Sequence, residues 1–477
     1  MVNTLPYLNF IPAYVLIGIS ILIFFVGKAV PKISRLPVTV FFIFILCIAF
    51  MMEGAGSGSQ VLFFNMIQID SFSRLYNQLF FLVILSTVLM MSNSEEIDSD
   101  LRWENYGLLS TICLGMMFMV SSKHLLMTVV GIELVSLPSY LLVAMNKKNP
   151  ASKEAALKYV LFGSFATGIM LYGMSFLFGL TGSLTFEGLW NGLSGYHILG
   201  SPIYFLAIFM TLGGIAFKIS AVPFHFWTPD AYQAAPTPIT AFLSCAPKVA
   251  GLALLMRFFA VLLPEQSEQM GVFISIVAML TMTLGNFAAL KQTDIKRLLA
   301  YSSISHAGFL LMGVAVMNDA GRQVVFFYIP IYLLMNLGAF MAIIYLSKGT
   351  NFQIDSYKGM IYKKPLLVVS LAVCMFSLAG IPPFAGFIGK LYLFKVVIEK
   401  EMFLLAIVAG INSVVSLYYY VYVLKVMIID KDITPEIEFK GKPATIAFVA
   451  SCAVPLVFFG IYWVPLLDWA SKVVLFQ

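Results

Sequence analysis

Apolar runs of about 20 residues follow one another along the chain, separated by short polar stretches. At 1.5 Å per residue, a helical run of this length crosses the roughly 30 Å hydrocarbon core of a bilayer. Such runs lie near residues 8–27, 36–52, 71–92, 104–121, 123–145, 155–178, 201–227, 237–263, 270–290, 297–317, 322–347, 365–396, 402–429 and 443–467. Lipid offers the backbone no hydrogen bonds, so each spanning run must satisfy its own N–H and C=O groups. The pattern therefore predicts an all-α polytopic membrane protein of about fourteen transmembrane helices. The longest connections, 179–200, 348–364 and 430–442, are too short to build a domain with its own core. No Lys or Arg precedes the first run, so it reads as a retained helix and not as a secretory leader.

Composition strengthens this picture. Of 477 residues, 60% are hydrophobic and 11% charged, with a mean hydropathy of +0.93, whereas a soluble domain carries roughly 25% charged residues. The bilayer is the expected main partner, and no nucleic acid is expected. Cys47, Cys113, Cys245, Cys374 and Cys452 each fall in a different apolar run, without metal-ligand or iron–sulfur spacing, and read as packing residues. The formal charge of +6 is informative only loop by loop. Alternate connections collect the basic residues Lys28, Lys32 and Arg35, then Lys147 and Lys148, Lys291, Lys296 and Arg297, Lys363 and Lys364, and Lys431 and Lys440. The opposite connections hold few. The positive-inside rule then predicts both termini on the outer side of the membrane, and the acidic run SEEIDSD at 94–100 does not alter this because Asp and Glu contribute little to orientation. No P-loop or G-x-G-x-x-G opens a βαβ unit, so nucleotide chemistry is assigned to partners.

Two runs carry interruptions that a packed helix avoids: KISAVPFHFWTP from Lys218 to Pro229, and AGIPPFAGFIGK from Ala379 to Lys390. Proline removes a helical hydrogen bond and clashes with the preceding turn, so broken helices are expected in the seventh and twelfth spans. Within a membrane such breaks are tolerated only inside protein or along a wet cavity. Their spacing of five spans suggests two inverted five-helix repeats, helices 4–8 and 9–13. The corresponding organisation is 1–103 for the first three helices, 104–263 and 264–429 for the repeats, and 430–477 for the last helix.

Ionisable residues inside spans cost about 2.5–3.5 kcal/mol each at a helix centre and usually mark ion or proton pathways. Glu133 is the carboxylate placed firmly at mid-span. Lys218 and Lys248 lie in the seventh and eighth spans, His306 in the tenth and Lys390 in the twelfth, while His225 stands just past Pro223. Glu133 could merely hydrogen-bond a neighbouring helix, and the lysines could snorkel to the interface. Against that, both Lys218 and Lys390 adjoin a break that could admit water. A carboxylate stabilises a nearby ammonium while desolvation favours the neutral amine, so a Glu133/Lys218 pair would be switchable by a passing charge. Lys248 would relay between the other lysines. His306 suits a shuttle but could equally be a satisfied interior histidine, and His225 could face the outer wall of its break. Arg257 reads as an anchor near the outer end of the eighth span, and Lys291, Lys296 and Arg297 as surface topology charges.

Four stretches in order, GIELVSLPSYLLVA, FKISAVPFHFWTPDAYQAAPTPITAFLSCAPKVAG, LKQTDIKRLLAYSSISHAGFLLMG and LAGIPPFAGFIGKLYLF, resemble the antiporter-like proton-channel subunits of respiratory complex I, NADH:quinone oxidoreductase. The resemblance runs from about 104 to 430 and is greatest to subunit N, whose exit lysine matches Lys390. It implies a proton-translocating membrane-arm subunit in which Glu133 and Lys218 are the input pair, Lys248 the central relay, Lys390 the exit and His306 part of the axis between them. It also implies a bacterial cytoplasmic membrane, neighbours such as subunits M, K and J, and no redox centre in this chain, with FMN, iron–sulfur clusters and quinone in partner subunits. A subunit of a multi-subunit Na⁺/H⁺ antiporter or of a membrane-bound hydrogenase shares the same motifs. A plain membrane scaffold would have little use for the buried charges.

Overall fold

The computed structural model describes residues 15–16, 18–23, 26, 35–55, 58–97, 102–146, 149–194, 201–262, 267–347, 351–430 and 443–471. Most of the first expected helix and both chain ends lie outside the described residues, so the orientation expected for the termini does too. The long helices are α1 (Arg35–Ala55), α2 (Ser71–Asn93), α3 (Arg102–Ser121), α4 (Leu125–Val143) and α5 (Pro150–Thr181), followed after the short α6 (Phe186–Ser194) by α7 (Pro202–Ile219). The next are α8 (Trp227–Ala234), α9 (Thr237–Leu262), α10 (Ser267–Ala289), α11 (Ile295–Ala315) and α12 (Asp319–Ser347). The one-turn α13 (Met360–Lys363) leads to α14 (Pro365–Ala379), α15 (Ala385–Glu399), α16 (Phe403–Ile428), α17 (Pro443–Ile461) and α18 (Val464–Ser471). Nine of the described helices are long and apolar enough to cross a membrane unbroken.

Exposure separates lipid-facing from interior helices. α5 exposes Leu157, Leu161 and Phe165 at four-residue spacing, α10 exposes Val272, Ile276 and Leu280, and α16 exposes Ile407, Ile411 and Val414. Such one-sided apolar stripes meet acyl chains. α9 and α11 are instead buried along nearly their whole length, and these interior helices carry Lys248 and His306. Close backbone approach between neighbours relies on missing side chains. A Cβ on Gly285 would lie 2.7 Å from Ser305 N, and one on Gly308 would lie 2.7 Å from Met282 N. The α10–α11 contact thus uses a glycine from each side. Gly308→Ala should lower the melting temperature of the solubilised protein by forcing these backbones apart, at an expected cost of about 1–3 kcal/mol; an unchanged thermal transition would show that the helices can separate freely.

The breaks fall where proline requires them. Residues 201–227, expected as one span, divide at 220–226: α7 ends at Ser220, whose left-handed backbone (φ 59°) closes the helix with N–H bonds to Ala216 O and Phe217 O. Residues 365–396 divide likewise at Gly380 (φ 84°), whose N–H reaches Phe376 O and Ser377 O. In both, the next residue's N–H returns to the same carbonyl, Ala221 N to Ala216 O at 2.9 Å and Ile381 N to Phe376 O at 3.1 Å. The last run is also not straight. α17 and α18 meet at 90°, because Pro465 starts a new helix and the Trp463 indole N–H is taken by Tyr392 Oη at 3.2 Å. A further departure from an all-α chain is a small antiparallel hairpin, β1 (Gln60–Leu62) with β2 (Ile67–Ile69). Among the described residues Cys113, Cys245, Cys374 and Cys452 are buried, Cys47 is exposed, and all are free thiols.

Candidate functional site

Lys218 sits in the last turn of α7, 2% exposed, and its Nζ has no hydrogen-bond partner among the described residues. Its stem packs on α9: a Cβ at Gly251 would lie 3.2 Å from Lys218 Cβ. Gly251 is three residues, about one turn, beyond Lys248, so the α7–α9 contact brings the two lysines to one region. Glu133, on α4, is half-buried, and its carboxylate accepts a bond from Thr167 Oγ1 at 2.7 Å. Among the described residues Glu133 and Lys218 form no hydrogen bond with each other. His225, in the break, is 3% exposed and packs against Phe226 at 4.3 Å. It faces the interior, not the outer wall.

Beyond Lys218, one face of α11 organises the remainder. Residues three apart on a helix stand on one side, and here Ser303, His306 and Phe309 form such a row. Lys248 Nζ donates to Ser303 Oγ at 2.8 Å and lies 5.5 Å from the Tyr232 ring centroid. His306 Nδ1 is 3.0 Å from Tyr328 Oη and Nε2 is 3.3 Å from Tyr420 Oη. Lys390 Nζ stands 4.7 Å from the Phe309 ring centroid and donates to Leu378 O at 3.0 Å and Ala379 O at 2.9 Å. Those carbonyls belong to the free C-terminal end of α14, the negative end of its dipole. The second break thus creates the acceptors that hold its own lysine. Gly380 leaves room for this, since a Cβ there would lie 2.8 Å from Lys390 Cδ. The row brings Lys248, His306 and Lys390 together among hydroxyls, carbonyls and rings, and among the described residues none of the three is in an ion pair.

Two expectations are corrected. Arg257 is fully buried and not an interfacial anchor: its Nη2 bonds both Asp70 oxygens, at 2.8 and 2.9 Å. Lys296 is 2% exposed, so it is not a surface topology charge, whereas Arg297 does join a half-exposed group with Asp230 and Gln233. Sequence reasoning also missed Glu53, 5% exposed and hydrogen-bonded by Asn77 Nδ2 at 3.1 Å; it lies just past the apolar run expected at 36–52, in the last turn of α1. Tyr328, Tyr420, Ser303 and Thr167 were missed because hydroxyls within apolar runs give no pattern. Among the described residues no group of His, Cys, Asp and Glu is arranged to hold a metal ion.

The family described as NADH:quinone oxidoreductase/Mrp antiporter, TM, matches residues 122–416. The chain belongs to this family. That match contains Glu133, Lys218, His225, Lys248, His306 and Lys390. NADH-quinone oxidoreductase subunit N 2 of Sorangium cellulosum is 38% identical across 98% of this chain and 97% of its own length. Subunit N of Paramagnetospirillum magneticum is 37% identical across 96% and 95%. Among solved structures, a chain of respiratory complex I from Thermus thermophilus superposes with a TM-score of 0.82 at 31% identity, covering 96% of this chain and 99% of that one. A chain of the Mrp complex from Dietzia reaches a TM-score of 0.84 at 21% identity over 98% and 96%, a likeness of fold.

Proposed function

We propose that this chain is the N-type proton-translocating subunit in the membrane arm of an NADH:quinone oxidoreductase. The observation that carries the reading is the buried row on α11, which joins Lys248, His306 and Lys390 through neutral partners beside two broken helices. Lys218 and Glu133 form the input end, with Glu133 biasing Lys218 by charge at a distance. His225 lines the first break between Lys218 and Lys248. Lys390 is the exit, and a proton leaving it passes into the gap between α14 and α15.

The finer architecture belongs to the same reading. Fourteen spanning helices in two inverted five-helix repeats are supported by the matching hydrogen bonds at Ser220 and Gly380. The basic-rich connections face the inside of a bacterial cytoplasmic membrane, and the termini face out. Subunits of the M, K and J types are its neighbours, and FMN, iron–sulfur clusters and quinone reside in partner subunits, which supply the energy. A subunit of a Na⁺/H⁺ antiporter is the second reading, supported by the family shared with Mrp antiporters.

Inverted membrane vesicles separate the two. Lys390→Met should cut redox-driven proton uptake by about tenfold or more while electron transfer from NADH to an artificial acceptor stays normal. Full proton uptake in that variant would refute the exit role, and cation/proton antiport without any redox substrate would favour the second reading.

A further inference from the structure

At the inner end of the site, α8 and α9 are joined by Ala235 and Pro236, and this hinge is held by two opposite charges. Lys296 Nζ donates to Ala235 O at 2.5 Å, the C-terminal carbonyl side of α8. Glu96 Oε2 accepts from Thr237 N at 2.9 Å, the N-terminal side of α9. A cation on the first and an anion on the second each meet the favourable end of a helix dipole, and the two charges lie 3.9 Å apart. Phe352 closes over the ammonium at 4.5 Å, and its carbonyl takes the Ile295 N–H at 2.9 Å. A buried ion pair is weak evidence for stability, so a functional explanation is called for.

The elements joined here also surround Lys248. α8 supplies Tyr232, whose ring faces the amine; α9 carries Lys248; and α11 supplies Ser303, its acceptor. Lys296 and Ser303 are seven residues apart, two turns on the same face of α11. Lys296 is therefore the inner start of the row that continues through Ser303 and His306.

We propose that Lys296 and Glu96 form a charge clamp on the 235–237 hinge that positions Lys248 and sets its proton exchange with the inner face. This rests on the proton-carrying reading of Lys248. Both are positioning residues. The clamp holds Tyr232 and Ser303 around the amine, and its two charges cancel at Lys248, so removing either leaves the opposite field about 10 Å away. The other ionisable groups facing the clamp are Asp294, on the same helix, and Tyr357 from the 354–357 turn. Those near Lys248 are Cys245 on its own helix, Tyr232, His225 and His306, while Tyr332 of α12 donates to Ser244 O one turn before it.

The test measures redox-driven proton uptake against pH in vesicles holding the assembled complex. Lys296→Met leaves Glu96 uncompensated and should move the alkaline limb to higher pH by about one unit. Glu96→Gln keeps an acceptor for Thr237 N–H but leaves the Lys296 charge alone, and should move the limb to lower pH. The double variant should return the limb to its original position at a reduced maximal rate, and Lys296→Arg should behave nearly as the parent. Limbs that stay in place, or that move the same way in both single variants, overturn the clamp. If Lys296→Met does not assemble, an unmoved limb in Glu96→Gln alone overturns it. Lys248→Ala is measured alongside; a normal profile there defeats the parent reading instead, so the two failures are distinct.

Discussion

Replacing Lys248 with Ala should lower coupled proton translocation by about tenfold or more, with the complex still assembled and electron transfer through its redox arm intact. Lys248 is on the most deeply enclosed helix, 2% exposed, and its amine donates to Ser303 Oγ at 2.8 Å. Those surroundings offer a hydroxyl and an aromatic face and, among the described residues, no carboxylate paired with the amine. They can host the ammonium or the neutral amine, as a relay requires, whereas a structural lysine would be locked to a counter-ion. Arginine separates these roles. Lys248→Arg preserves the positive charge and much of the stem, but a guanidinium does not release its proton in a protein. A relay must therefore fail with Arg as with Ala; a packing or field role would be rescued. Proton uptake and NADH oxidation, measured on the same vesicles, give the ratio that decides. Near-parental pumping in Lys248→Arg would sink the relay.

The sequence made some of this legible and hid the rest for identifiable reasons. Hydrophobic length alone located α1 to α5, α9 to α12 and α16 within a few residues, because lipid enforces continuous backbone bonding. The proline pairs located both breaks. The buried lysines stood out because charge within an apolar run is costly. What remained hidden were the partners. Nothing in GIELVSLPSY indicates that Glu133 takes a bond from Thr167 of the next helix, and the free carbonyls that hold Lys390 exist only once α14 has ended. Lys296 was misread because it follows TDI, a polar start to a helix that looks like a surface loop. Its burial depends on Glu96, far away in sequence, and on the arrival of Phe352. Long-range pairing of this kind leaves no local signal.

Arg257 illustrates the same point and carries the largest expected effect on stability. Its guanidinium is wholly enclosed, and Asp70, 2% exposed by side chain, serves it with both oxygens while also accepting the Ser73 N–H that caps α2. One carboxylate thus joins the start of α2 to the far end of α9, binding the N-terminal helices to the helix that holds Lys248. Bidentate geometry is the strong form of such a pair, yet desolvating both charges offsets much of the attraction. The expectation is therefore asymmetric. Asp70→Asn retains an acceptor for the cap but takes the carboxylate charge away from the buried Arg257 guanidinium, and should destabilise the subunit by about 3–5 kcal/mol. Adding Arg257→Met removes the buried charge as well and should recover most of that loss, because an unbranched apolar side chain then fills the space. The thermal transition of the solubilised complex and the fraction of subunit retained in mild detergent measure both, and the cycle of single and double variants isolates the coupling. If Asp70→Asn costs nothing, or if the double variant is worse than either single, the two residues do not act as a compensating pair. Recovery would mean that the contact is kept to fix how α2 meets α9, and so the frame around Lys248, more than for net stability.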